Sequence, residues 1–120
     1  MEKQAPIVDL IFLREFCHGN EQKMAVYIQT FMASLPAQFE ELRSAVSSKQ
    51  WPLVKSMAHT LKPQVSFIGL PGVLALVEKI EEDAQGDHAE QTIPDLFVEL
   101  ETVARKALLT LAQTLVTLSN

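Results

Sequence analysis

The sequence is poor in the residues that form disulfides and turns. Its 120 residues include one cysteine, one tryptophan, one tyrosine, four glycines and six prolines. The single cysteine, Cys17, excludes an internal disulfide, and we expect it to be a small buried hydrophobe. So few glycines and prolines leave room for few loops.

The charge pattern and the apolar runs exclude two further classes of protein. The formal net charge is −5, and the longest basic cluster is the pair Arg105-Lys106, which argues against a nucleic-acid partner. The longest apolar runs are far too short to span a membrane. The start of the chain, Met1-Glu2-Lys3-Gln4, is charged and lacks a signal-peptide core, so we expect a cytoplasmic protein.

The sequence also lacks the motifs of nucleotide and metal chemistry. It has no glycine-rich phosphate loop and no dinucleotide fingerprint, so we do not expect it to be an ATP-dependent kinase. His18, His59 and His88 are widely spaced and show no metal-ligand spacing. We therefore expect no metal and no cofactor.

Apolar periodicity predicts an all-α protein. Hydrophobic residues make up 48% and charged residues 21% of the chain, which is typical of one globular domain, here residues 1–120. The pattern favours an antiparallel up-down four-helix bundle with a short additional N-terminal helix. In chain order, the predicted helices are Ile7–Cys17, Glu21–Ser47 with Asn20 as N-cap, Trp51 to just before Gly69, Pro71–Gln85 and Thr92–Leu118.

Two of these helices have features that bear on the architecture. Pro36 lies inside the second helix, where a proline costs about 3 kcal/mol or more, so a kink or break is expected over residues 34–38. The leucine-rich stripe of the last helix is more typical of a bundle core than of a dimer seam. We therefore expect a monomer, with dimerisation through that helix as the alternative.

The second helix has the predicted core residues Met24, Tyr27, Ile28, Phe31, Met32, Leu35, Phe39, Leu42 and Val46.

The third helix carries a histidine on its polar side. Val54, Ala58, Leu61, Val65 and Ile68 recur at intervals of four and three, which places them within an arc of about 80°. His59 lies on the opposite side. Its neighbours on that side are Pro52, Lys55, Lys62, Pro63 and Ser66. Taken alone, this pattern is typical of a solvated polar face.

The residues around His59 match a known motif. His59, Leu61, Lys62 and Gly69 occur in the order and spacing of the histidine-containing phosphotransfer (HPt) domain family, and Ala58 is the small residue that usually precedes the histidine. The sequence therefore resembles a stand-alone member of that family. The length of the chain and its helical pattern agree with one such domain.

The resemblance implies a role for each residue of the motif. Nε2 of His59 would accept a phosphoryl group from the phospho-aspartate of a response-regulator receiver domain and return it to another receiver. Lys62 would neutralise phosphate charge. The implied partners are receiver domains and a hybrid sensor histidine kinase. An imidazole is largely neutral near pH 7, so it needs no strong base to act as a nucleophile.

Two residues depart from the family pattern. Glu81 stands where the family often has an amide that hydrogen-bonds the histidine ring. A carboxylate there would either fix the Nδ1–H tautomer and raise the basicity of the ring or repel the incoming phosphate. The alternative for Glu81 is a solvated acid on a helix face. Pro63 stands where the family usually has glycine, and it cannot bond the carbonyl of His59, so we expect the helix to be distorted at that point. We interpret Pro63 as a variant rather than as an inactivating change, because His59 and Lys62 are both retained.

Three functions remain open from the sequence, the last of them a bundle with a purely structural role that binds no receiver. The first is a phosphocarrier in a multistep two-component relay, with a small and transient docking surface for receivers around His59. The alternative is a catalytically silent helical adaptor that binds receivers without phosphotransfer. Gln64 is expected to face solvent or a helix boundary. The predicted docking surface consists of Pro52, Lys55, Ser56, Pro63, Ser66 and Phe67.

Overall fold

A computed structural model describes residues 6–119 of the chain, and all regular structure in that range is helical. The prediction of an all-α protein is therefore confirmed. The charged segment Met1–Gln4 lies outside the described residues, and the domain bounds 1–120 remain a prediction. None of the helices in residues 6–119 has the length and apolar character that crossing a bilayer requires. The helices are α1 (Ile11–Phe16), α2 (Glu21–Ser47), α3 (Trp51–Ile68), α4 (Pro71–Ala84) and α5 (Ala89–Ser119).

Four long helices enclose one apolar core. α2 contacts α3 and α5, and α4 contacts the same two helices, whereas α1 lies against α2 and α3. The buried side chains of the described residues are all apolar or cysteine. Cys17 is buried, as predicted, and on α4 Val77 is buried whereas Leu76 is half-buried. The remaining buried residues of α3, α4 and α5 are Val54, Ala58, Leu61, Val65, Ile68, Val73, Ile80, Ala84, Ala89, Ile93, Phe97, Leu100, Ala104, Ala107, Leu111 and Leu118.

The prediction for α1 was too long by four residues at its start. The backbone N–H of Asp9 donates to the carbonyl of Gly69 at 2.8 Å, and this tether holds residues 7–10 outside the helix. The carboxylate of Asp9 then accepts from the N–H of Ile11 at 3.1 Å, which caps the first turn. The helix ends because His18 and Gly19 adopt positive φ angles of 53° and 75°.

The bounds of α2 and α3 agree with the sequence pattern, but their interior prolines do not break them. Asn20 caps α2 as predicted, since its side chain accepts from the N–H of Lys23 at 3.0 Å. α2 continues through Pro36 and α3 continues through Pro63. Packing of both helices against the core therefore outweighs the hydrogen bond that each proline removes.

The last helix begins three residues before its predicted start. The carbonyl of His88 accepts from the N–H of Gln91 and of Thr92, at 3.0 and 3.1 Å, so the first turn forms ahead of Thr92. Ala89 is buried and anchors that turn to the core. Pro94 consequently lies inside α5 rather than at its start.

Tyr27 is not a core residue, contrary to the prediction. Its side chain is 40% exposed and packs edge-on against Phe16 and Phe67, with ring centroids 5.8 and 5.2 Å apart. Phe12 joins the same group of rings. The short α1 thus covers one side of Tyr27 without burying it. Met32 and Phe39, also predicted core residues, are half-buried at the core margin.

The turn between α3 and α4 depends on Gly69. This residue ends α3 with φ 95° and ψ 56°, a left-handed conformation that favours glycine. A Cβ atom at this position would lie 1.8 Å from the carbonyl oxygen of Asp9. Two constraints therefore require glycine here: the backbone angle and the close approach of the N-terminal segment.

We expect Gly69→Ala to lower the free energy of unfolding by at least about 3 kcal/mol, because it combines left-handed strain with a backbone clash. Gly19→Ala is the matched control, since Gly19 has φ 75° but no atom within 4 Å of a built Cβ. It should cost only about 1 kcal/mol. Urea unfolding monitored by circular dichroism measures both values, and equal losses would contradict the role of the Asp9 contact.

Candidate functional site

α3 presents His59 to solvent because its opposite face is fixed in the core. Pro52 lies in the first turn, where its missing N–H leaves no hydrogen bond unmade. Val54, Ala58 and Leu61 are buried, as the periodicity predicted. The side chain of His59 is 74% exposed, so the imidazole can be reached from outside the bundle.

Glu81 of α4 joins His59 to Lys62. Its Oε2 lies 2.6 Å from Nδ1 of His59, and its Oε1 accepts from Nζ of Lys62 at 2.8 Å. The Glu81 side chain is only 13% exposed, and this burial limits its freedom to leave the two partners. One carboxylate therefore fixes the ring orientation of the histidine and the position of the lysine.

The ion pair shifts the pKa values of both of its members. The hydrogen bond from Lys62 holds the pKa of Glu81 below its ordinary value of 4.5, with a smaller contribution in the same direction from His59, against an opposing effect of burial. The same bond raises the pKa of Lys62 above 10.5. Glu81 is therefore ionised and Lys62 protonated at neutral pH, and their charges cancel.

The surroundings of His59 include more than the lysines of its own helix. Lys62 is not a free cation, since it is bound to Glu81, and its side chain is 31% exposed. Lys55 remains exposed on the same helix. An acidic side chain, Glu78, also borders the surface next to the imidazole. His59 thus lies between cations and carboxylates rather than among cations alone.

An open groove of about 550 Å³ lies beside the imidazole, between α3 and α4. Most of its lining surface comes from carbon atoms, so it favours contact with apolar groups. The groove is lined by His59, Thr60, Lys62, Pro63, Ser66, Leu74 and Glu78.

The predicted site residues do not all lie in this groove. Pro63 and Ser66 line it together with His59 and Lys62. The predicted docking residues Pro52, Lys55 and Ser56 are exposed along the N-terminal half of α3, outside the groove.

Phe67 points toward α1 instead. It packs against Phe12, Phe16 and Tyr27, with ring centroids 5.0 to 5.8 Å apart. Eight residues separate Phe67 from His59, which corresponds to about 12 Å along the helix axis.

Gln64 does not face solvent, contrary to the prediction. Its side-chain amide is half-buried and pairs with that of Gln38 on α2. Five residues separate Gln64 from His59, which places it about 140° away from the His59 face on the helix. The helical spacing did not indicate that an amide on α2 lies opposite.

Two groove residues of α4, Leu74 and Glu78, were missed. They precede Glu81 by seven and three residues, so all three share one face of α4. Helical spacing from Glu81 would have found both. Among the described residues, no three His, Cys, Asp or Glu side chains lie close enough together to hold a metal ion.

A tethered imidazole of this kind suits nucleophilic chemistry. With Nδ1 bound to a carboxylate, that nitrogen carries the proton and Nε2 keeps its lone pair. Nε2 has no hydrogen-bond partner within residues 6–119. The exposed nitrogen can therefore attack a group presented from outside the bundle.

Comparison with known proteins identifies the family. The family model described as Hpt domain matches residues 26–117, a range that contains α3, α4 and all the residues of the site. Searches of curated proteins and of solved structures gave no match. An all-helical chain that the Hpt model matches over most of its length, with an exposed histidine, belongs to the Hpt domain family, the histidine phosphotransfer modules of phosphorelays.

Proposed function

We propose that this protein is a phosphocarrier in a multistep two-component phosphorelay. His59 accepts a phosphoryl group from the phospho-aspartate of a receiver domain, and the protein passes it to a second response regulator. A hybrid sensor histidine kinase is the proposed source of the first phosphorylated receiver. The chain carries the phosphoryl group without hydrolysing ATP.

The contact between Glu81 and His59 carries this proposal. The 2.6 Å distance from Oε2 of Glu81 to Nδ1 of His59 assigns the proton to Nδ1 and leaves the nucleophilic lone pair on Nε2. The 74% exposure of the His59 side chain gives a receiver direct access to that nitrogen. A histidine that only contacted solvent would not need a carboxylate that is mostly shielded from solvent to orient it.

The transfer step follows from these positions. The lone pair of Nε2 attacks phosphorus, the N–P bond forms, and the P–O bond to the receiver aspartate breaks. The aspartate leaves as a carboxylate, and the ring gains positive charge as the bond forms. Glu81, 2.6 Å from Nδ1, stabilises that charge, and transfer to the next receiver reverses the step.

Lys62 is proposed to neutralise charge on the phosphoryl oxygens. Its Nζ is bound to the same carboxylate as the imidazole, so it is near the reacting ring before a receiver arrives. Part of its attraction for phosphate is offset by Glu81. An incoming phosphoryl group must therefore compete with that carboxylate for the ammonium group.

We propose that the receiver docks over the groove beside His59 and along the exposed side of α3. Pro63 and Ser66 form part of the groove, and Pro63 offers a rigid apolar surface where the family usually has glycine. On either side, Phe67 and the N-terminal residues of α3 extend this surface. The further docking residues are Pro52, Lys55 and Ser56.

We also propose that α2–α5 run alternately up and down. Only three, two and four residues connect successive helices, which favours antiparallel neighbours. Lys49, just after α2, pairs with Glu90 at the start of α5, whereas Leu35 in the middle of α2 and Leu108, further along α5, line the same cavity. Antiparallel α3 and α4 would account for the meeting of His59 with Glu81.

His59→Gln tests the identity of the phosphoacceptor. Incubation with a receiver carrying radiolabelled phosphate should transfer acid-labile label to the wild-type protein and none to His59→Gln, because glutamine has no nucleophilic nitrogen. His88→Gln is the control, since His88 is an exposed histidine away from α3, and it should label normally. A wild-type protein that binds the receiver but takes no label would instead support the silent adaptor.

The two lysines of α3 should affect different kinetic constants of the transfer. Lys62→Gln should lower the maximal transfer rate by about 10- to 100-fold, because a cation bound next to the reacting ring is lost. Lys55→Gln removes the same charge from the same helix and should raise the receiver concentration at half-maximal rate without lowering the maximal rate. Rapid-quench kinetics over a range of receiver concentrations distinguishes these effects, and identical profiles would contradict the assignment.

The lowered pKa of Glu81 should appear in the pH dependence of the unfolding free energy. A carboxyl group whose pKa is lower in the folded state stabilises the fold above its unfolded pKa, and this stability is lost as the pH falls through the folded value. The wild-type protein should therefore exceed Glu81→Gln in unfolding free energy most clearly above pH 4.5, and the difference should shrink below it. Urea unfolding at a series of pH values measures this, and a constant difference would contradict the ion pair.

A further inference from the structure

α2 and α3 share an unusual feature, an interior proline followed closely by a glutamine. Pro36 precedes Gln38 by two residues in α2, and Pro63 precedes Gln64 by one in α3. Each proline lacks the N–H that would bond the carbonyl four residues back. For Pro63 that carbonyl belongs to His59, so the weakened turn is the one that carries the histidine.

The two glutamine side chains pair with each other across the helices. Nε2 of Gln38 donates to Oε1 of Gln64 at 2.9 Å, and Nε2 of Gln64 donates to Oε1 of Gln38 at the same distance. Both side chains are partly shielded from solvent. The amides thus satisfy each other and form a double hydrogen bond between α2 and α3.

Each amide also bonds the backbone or side chain of its own helix. Nε2 of Gln64 donates to the carbonyl oxygen of Thr60 at 3.1 Å, and Nε2 of Gln38 donates to Oγ of Ser34 at 3.3 Å. The Gln64 amide therefore holds the carbonyl of Thr60, the residue after His59, on one side and α2 on the other. It connects the weakened turn of α3 to a neighbouring helix.

We propose that Gln38 and Gln64 are positioning residues for phosphoryl transfer. Their paired amides fasten the turn of α3 that Pro63 weakens to α2, and so hold the backbone of His59 at the distance that lets its imidazole meet Glu81. This proposal rests on the proposed function of His59. It explains how α3 tolerates a proline beside its reactive residue.

The pairing predicts that the two residues act as a unit. Removing one amide leaves the other half-buried and without its partner. Removing the second amide as well cannot break the same pair again, so it adds no further loss of this kind. A small displacement of a reacting group from its productive position lowers the rate of transfer. It does not lower the affinity for the receiver. The expected signature is therefore a reduced maximal rate that does not fall further in the double variant.

The bonds of the pair are also unequal, which gives a sharper test. Gln64→Glu still accepts from Gln38, but the oxygen that replaces Nε2 cannot donate to Gln38 or to the Thr60 carbonyl, so the turn of α3 loses its side-chain bond. Gln38→Glu loses its donations to Gln64 and to Ser34 of α2, but it still accepts from Gln64, which keeps its bond to Thr60. The change at Gln64 should therefore slow transfer more than the same change at Gln38.

The experiment measures transfer from a phosphorylated receiver over a range of receiver concentrations. The variants are Gln38→Met, Gln64→Met, their double variant and the two glutamate variants. Gln113→Met is the matched control, since Gln113 is exposed on α5. Circular dichroism establishes that each variant is folded at the assay temperature. Hydrogen exchange of the amides of residues 60–66 reports the state of the turn directly.

We expect each methionine variant to lower the maximal rate by about tenfold, to change the half-saturating receiver concentration by less than about twofold, and to speed hydrogen exchange in residues 60–66. The double variant should be no slower than the slower single variant. If a methionine variant does not fold, the order of the glutamate variants decides the question.

Folded variants that transfer at the wild-type rate would overturn the proposal and leave the proposed function of His59 standing. Rate losses that multiply in the double variant, or Gln38→Glu slower than Gln64→Glu, would also overturn it. A wild-type protein that takes no label would overturn the proposed function first, and this proposal with it.

Discussion

The carboxylate of Glu81 binds the imidazole of His59 with one oxygen and the ammonium group of Lys62 with the other. Every property of the site depends on this shared carboxylate. It selects the tautomer of the ring, sets the position of the lysine and reduces the local positive charge. A neutral amide at the same position could orient the ring, but it could not hold Lys62 by charge. The carboxylate at this position therefore sets the charge balance next to Nε2 of His59.

The packing of α3 and α4 brings these three groups together. Each of the two helices has a buried stripe that fixes its rotation about its own axis, so His59 and Glu81 face the same open groove. The stripes include Ala58 and Leu61 on α3 and Val77 and Ile80 on α4. The tight turn at Gly69 sets the direction in which the chain leaves α3 and enters α4. The packing and the turn, both away from the imidazole, thus determine the 2.6 Å distance between Oε2 of Glu81 and Nδ1 of His59.

Periodicity in the sequence was enough to predict the helices and most of the core, because a buried stripe repeats along one chain segment. The exposure of His59 followed from the same stripe. Contacts between segments could not be read in this way. The binding of Lys62 to Glu81, the pairing of Gln64 with Gln38 and the tether from Asp9 to Gly69 each join residues on different elements. Tyr27 was misplaced for the same reason, since its exposure depends on how far α1 covers it.

The proton on Nδ1 and the reactivity of Nε2 are the central claim, and nuclear magnetic resonance of the phosphorylated protein tests it most directly. With ¹⁵N-labelled histidine, the signals of His18 and His88 serve as internal references for His59. We expect one ³¹P–¹⁵N coupling, at Nε2 of His59, with a proton retained on Nδ1 in a hydrogen bond that Glu81→Gln weakens. Phosphate on Nδ1, or on no nitrogen of His59, would contradict it.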